Sequence, residues 1–147
     1  MKINYNSEDL VDHHVVAGII KDQNGDTLMQ DHVKHGFRTI PVGKVKENQN
    51  VQEALWEELN EECNISVKEF NEITQRDYFY DRNGNTVKVI SHLFEILKYE
   101  GEVKNNEPHK HKQQIFLSLD EIKNIPYLSD MTLLYLETLW IQRDAKI

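Results

Sequence analysis

The chain has 147 residues, of which 39% are hydrophobic and 29% charged, a length and balance expected of one domain spanning residues 1–147 with a real core. Its formal net charge of -8 excludes an extended nucleic-acid surface, which requires a basic face. No run approaches the ~18 apolar residues of a membrane span.

Met1 to Leu10 is polar and lacks an apolar run of signal-peptide length, so a cytoplasmic location is expected. Cys63 is the sole cysteine, which rules out an internal disulfide. His14 to Ile20 reads as a strand, and Asn24-Gly25 as a hairpin turn leading into a return strand from Thr27 to Met29. Arg38 to Pro41 is extended. Asn50 to Cys63 reads as a helix, with Asn50 and Glu53 spaced as a capping pair. Ile73 to Tyr80 and Val87 to Ile96 form a second expected hairpin around Asn83-Gly84. Ile115 to Leu117 is a short strand, and Asp120 to Ile125 a short helix. Ser129 to about Arg143 is a terminal helix with Leu133, Leu136 and Trp140 at helical spacing. Interleaved helices and strands, with hairpins that demand antiparallel pairs, predict an α/β class with a mixed sheet (α+β) flanked by helices.

The helix at residues 50–63 carries Glu53, Glu57, Glu58, Glu61 and Glu62. An acidic face turned to water is the plain expectation, and a helical wheel tests it. At ~100° per residue from Val51, Leu55 falls at ~40°, Leu59 at ~80°, Cys63 at ~120° and Ala54 at ~300°, which defines the core-facing arc. Glu58 at ~340° and Glu62 at ~20° fall inside that arc, Glu61 at ~280° on its border, and Glu53 and Glu57 point outward. Two like charges four residues apart and turned inward repel unless something neutralises them. Mg²⁺ suits such oxygen ligands best.

Ile40-Pro41-Val42-Gly43-Lys44-Val45 followed by this Glu-rich helix resembles the Nudix box. That box runs Gly, five residues, Glu, seven residues, Arg-Glu, an aliphatic, any residue, Glu-Glu, any residue, Gly, an aliphatic. Gly43, Glu58, Leu59, Glu61, Glu62 and Ile65 match at the required spacings. Glu107-Pro108-His109-Lys110-His111 and the segment Phe116 to Ile122 also look like the family's stretch before its last strand and short helix. The resemblance implies an α/β/α sandwich and a metal-dependent hydrolase that cleaves a phosphoanhydride bond in a nucleoside diphosphate derivative. It also implies Glu58, Glu61 and Glu62 as ligands of Mg²⁺ or Mn²⁺ with Gly43 beside them, Glu58 and Glu61 as catalytic carboxylates, and Glu58 as the base. Lys44, Arg38 and Glu107 are the candidate substrate contacts.

Three positions depart from the box. Gln49 replaces its first Glu, Glu57 its Arg, and Asn64 its late Gly. Asn64 is a mild change, because Asn commonly follows Gly as a left-handed helix terminator. Glu57 places a like charge where the family has a cation that orients the catalytic carboxylates, so Glu57→Arg is expected to raise turnover unless Glu57 is itself a metal ligand. The alternative reading is therefore a weakened Nudix domain that binds a nucleotide or a protein, and a third is an interaction protein with a plain acidic helix. His109 and His111 lack the further ligands of a zinc site. The loops at 22–26 and 81–85 lack the Gly and Glu of a calcium loop and read as turns. Phe37, Tyr78 and Tyr80 read as core aromatics or as platforms for a base. Substrate identity and oligomeric state have no sequence signal.

Overall fold

A computed structural model describes residues 13–145. The polar start, Met1 to Leu10, lies outside the described residues. In chain order the elements are β1 (His13–Ile19), β2 (Thr27–His32), β3 (Arg38–Thr39), β4 (Val42–Lys44), α1 (Val51–Cys63), β5 (Ser66–Arg82), β6 (Asn85–Glu100), β7 (His111–Leu117), α2 (Leu119–Lys123) and α3 (Asp130–Ala145). They form a four-stranded sheet, β4-β1-β6-β5, and a three-stranded sheet, β3-β2-β7.

The turn at Asn24-Gly25 is present, but its flanking strands do not make the expected hairpin ladder. After a single bridge between Lys21 and Thr27 they part. β1 runs parallel to β6 and antiparallel to β4, while β2 pairs with β7 and β3 in the other sheet. The sequence of β1 explains this. Val15, Val16, Ala17 and Ile19 are all buried, and a strand buried on both faces suits a central place with neighbours on each side. The second hairpin is longer than expected. Its turn has Asn83 at φ 51° and Gly84 at φ 81°, the two left-handed residues that a tight two-residue loop demands.

The core has two layers. On one face α1 covers Val16, Ile20, Leu28 and Phe94 with Ala54, Leu55, Leu59 and Cys63. On the other, α2 and α3 cover Ala17, Ile19, Met29 and Leu93 with Ile122, Met131, Leu134 and Tyr135. Each fully buried leucine contributes roughly 2 kcal/mol. The result is an α/β/α sandwich. In α3 the buried stripe is Met131, Leu134, Tyr135 and Thr138, whereas Leu133 is exposed. The Trp140 side chain lies outside the described set. Among the described residues no helix is long and apolar enough to cross a membrane.

Candidate active site

Local chemistry sets α1 in place. Asn50 accepts the Glu53 amide at 2.8 Å, and Glu53 reaches back to the Asn50 amide, closing the capping box. At the other end Asn64 takes the left-handed conformation, φ 65°. The last carbonyls of the helix are satisfied by the following loop: the Asn106 amide donates to Glu62 O at 3.1 Å, and the Lys104 amide to Cys63 O at 3.0 Å. That docking brings Glu107 to the same end of the helix.

The carboxylates are arranged as the wheel predicts. Glu62 is buried, at 4% exposure, and Glu58 is half-buried, while Glu61 is exposed. Glu58 lies against β4 at Gly43, where a Cβ would stand 2.1 Å from the Glu58 Cδ, so only glycine leaves room for the carboxylate. Glu62 Oε2 accepts from Gln30 Nε2 at 3.4 Å; the same amide donates to Gln114 Oε1 at 3.0 Å. Glu58 and Glu62 also share a hydrogen bond, and burial followed by mutual repulsion pushes the Glu62 carboxyl well up. Burial likewise raises Glu58.

These two carboxylates form one wall of a cleft of about 520 Å³, with Gly43 and Lys44 at its edge. The same cleft is lined by His32, His35 and His111, with Lys34, His109 and Lys110 among them. Lys110 pairs with Glu107 at 3.2 Å, so Glu107 stands next to the cleft rather than in solution. Arg38 does not line this cleft: it is in β3, its backbone tied to Tyr127 and Ser129. Phe37 is buried behind the histidines, and Tyr78 and Tyr80 stack on β5 at 6.4 Å. His109 is exposed and His111 buried, so the pair does not converge.

The two unusual box positions contact each other. Glu57 accepts from Lys46 Nζ and, on its other oxygen, from Gln49 Nε2 at 2.7 Å. The outward direction from the wheel holds, and the group it meets there is a lysine that the sequence did not flag. Gln30 and the histidine wall were also missed. Gln30 had one usable signal, a polar residue continuing the buried run of β2.

A profile of the NUDIX domain matches residues 12–134. The chain belongs to the Nudix family. It is similar to the 8-oxo-dGTP diphosphatase of Buchnera aphidicola subsp. Schizaphis graminum, 31% identical over 113 residues that cover 75% of this chain and 80% of that protein. Solved structures share the fold. The MutT Nudix hydrolase from Burkholderia pseudomallei superposes with a TM-score of 0.71 at 23% identity, over 86% of this chain and 97% of that one. The E. coli ORF135 protein gives 0.72 at 21% identity, over 96% and 97%. This Nudix chain is accordingly a hydrolase of the class that acts on nucleoside diphosphate derivatives.

Among the described residues, no three His, Cys, Asp or Glu side chains already surround a common point at metal-binding distance. The donor chemistry nonetheless fits a hard divalent cation. Glu58 and Glu62 present carboxyl oxygens to the cleft, disfavour full ionisation of the pair, and among the described residues have no lysine or arginine as a hydrogen-bond partner.

Proposed function

We propose that this Nudix enzyme hydrolyses a phosphoanhydride bond of a nucleoside diphosphate derivative, with Mg²⁺ or Mn²⁺ held by Glu58 and Glu62 and with Glu61, exposed on the same helix, as a further ligand. The observation that carries the reading is the pair of carboxyl groups on α1, Glu62 buried and Glu58 half-buried, that lines an open cleft. A cation there would neutralise the diphosphate and lower the pKa of the attacking water. Gly43 gives Glu58 the space to face the cleft. Glu58, the more accessible of the pair, serves as the base that takes the proton from the attacking water. Gln30 holds Glu62 by an amide hydrogen bond, and Lys44 at the edge of the cleft supplies a cation for the phosphates. The relative that acts on 8-oxo-dGTP makes oxidised deoxynucleoside triphosphates the first substrates to try. The lone Cys63, buried and with its thiol pushed up by burial, suits a reducing cytoplasm.

The test is a Mg²⁺ and Mn²⁺ screen over common nucleoside triphosphates, 8-oxo-dGTP, ADP-ribose, dinucleoside polyphosphates and capped RNA ends, with products resolved by mass. Metal-dependent cleavage of a phosphoanhydride in at least one compound is expected. No cleavage of any compound, with nucleotide binding intact, would replace the reading by that of a binding module, which Gln49 and Glu57 favour.

A further inference from the structure

The histidine wall of this cleft is built of rings brought from three places. His32 ends β2, His35 follows in the turn, and His111 opens β7. The antiparallel register sets His32 against His111, after a shift between Asp31 and His32. His32 stacks on His35 with 4.6 Å between centroids and meets His111 edge-on at 5.6 Å. Phe37 backs them, 5.4 Å from His32.

Their protons can be assigned from their contacts. His32 Nδ1 accepts the His35 backbone amide at 3.2 Å, which leaves its proton on Nε2. Nδ1 of His35 and of His111 is sealed from solvent and has no hydrogen-bond partner among the described residues. An orphaned buried N–H is rarer than an orphaned acceptor, so these rings too carry the proton on Nε2. Burial lowers all three rings and so favours their neutral form: His32 falls to about 4, with His35 and His111 and then Lys110 and Lys34 adding, Lys34 adds at His35, and Glu107 opposes the shift at His111. The three rings thus carry no charge of their own, while Lys34 and Lys110 line the same cleft. The rings themselves are weak phosphate ligands, since hydrogen bonds without charge assistance are about half as strong. They suit an uncharged heteroaromatic ring bearing carbonyl and ring-nitrogen acceptors.

We propose that His32, His35 and His111 form the nucleobase subsite of the cleft whose carboxylates face the diphosphate. The proposal rests on the nucleotide-hydrolase reading. The base stacks on the imidazole pair, and Nε2–H groups donate to its acceptors.

The test is calorimetric binding, in Mg²⁺, of dAMP, dCMP, dGMP, dTMP, 8-oxo-dGMP and base-free 2-deoxyribose 5-phosphate. The parent should bind at least one nucleotide about tenfold more tightly than the base-free sugar phosphate, as one stacked base provides. His32→Ala and His35→Ala should each bring that ratio below about threefold while leaving the sugar phosphate affinity within about twofold. His32→Phe, which keeps a ring but loses the donor, should fall between them. Circular dichroism checks that the variants fold, and because His35 is in a turn its variant spares the core. A parent that does not discriminate, variants that keep the preference, or variants that lose both ligands equally would each overturn the proposal. Base preference without hydrolysis of any compound supports the wall and tells against the hydrolase reading; hydrolysis without base preference overturns the wall alone.

Discussion

Lys46 and Glu57 form an ion pair that clasps the β4–α1 loop onto the first half of the helix. Gln49 joins it from the same loop, and its Oε1 accepts the Lys46 amide at 3.0 Å. The clasp has the polarity opposite to the family's arrangement, with the carboxylate on the helix and the cation on the loop. The sequence suggests that Glu57→Arg should restore a missing contact; the structure reverses that expectation. Arginine at 57 would face Lys46 and lose both partners, so turnover should fall at least ~3-fold. The swap Lys46→Glu with Glu57→Arg should recover most of it. Steady-state kinetics of the two singles and the double decide the matter, and a double no better than Glu57→Arg alone would show that the clasp has no positioning role.

Glu62→Gln keeps shape and the Gln30 contact but removes a proposed ligand. It should cost at least ~100-fold in kcat with the fold intact. Glu61→Gln, at an exposed position, should cost less. Equal, small losses in both variants would move the chemistry off this helix.

If the proposed site holds a divalent metal, that metal should raise the melting temperature, because the carboxyl pair is assembled only in the folded chain. At about 100 times its Kd the rise should be roughly 5–10 °C. Glu58→Gln with Glu62→Gln should melt higher than the metal-free parent and ignore the metal. A parent unmoved by millimolar Mg²⁺ or Mn²⁺ would place the charges in solvent.

Gly43→Ala directs a methyl group onto Glu58, whose end is flexible and can swing aside. Activity should drop ~10-fold or more while the melting temperature changes little. Loss of both together would make Gly43 a packing residue.

Two sets of groups give opposite pH dependence. His32, His35, His92 and His111 are all lowered on folding, chiefly by burial, so the unfolded chain binds more protons. Their contribution is present above the ordinary histidine value of about 6.5 and is lost as pH falls toward about 4, the value to which His32 is lowered. Glu58 and Glu62 are raised, so theirs is present at low pH and lost as pH rises. Melting curves of the metal-free parent should therefore change less between about pH 7 and about pH 5, a window that spans a free histidine's pKa of about 6.5, than those of the Glu58→Gln, Glu62→Gln variant. Parallel curves would contradict the inward placement of the pair.

What the sequence shows of this site depends on whether the signal is local. Asn50, Glu53 and Asn64 announce the ends of α1, because capping is settled within a few residues. The inward turn of Glu58 and Glu62 follows from helical spacing alone. Asn24-Gly25 shows that the chain reverses, but not that β1 and β2 part into different sheets, since that depends on β6 and β7 far along the chain. The same limit hides the histidine wall: no spacing links His32 to His111, and only the β2–β7 register does. Lys46 was silent because a lysine in a loop resembles any solvated one until the helix places Glu57 above it.

The parallel register that joins His13 to Val89 and Ile19 to Glu95 also orders events during synthesis. β1 leaves the ribosome well before β6, and it is rich in buried side chains. Its central partner β6 follows only after β2, β3, β4, α1 and β5. Until then Val15, Val16, Ala17 and Ile19 have only the short β4 to pair with, and a long loop must close before they are covered. The β5–β6 hairpin, whose strands are joined by two residues, can form at once and serve as the template onto which β1 docks. A nascent chain stalled before residue 85 would thus present β1 as a sticky apolar strand, the segment to which a ribosome-associated chaperone has most to hold.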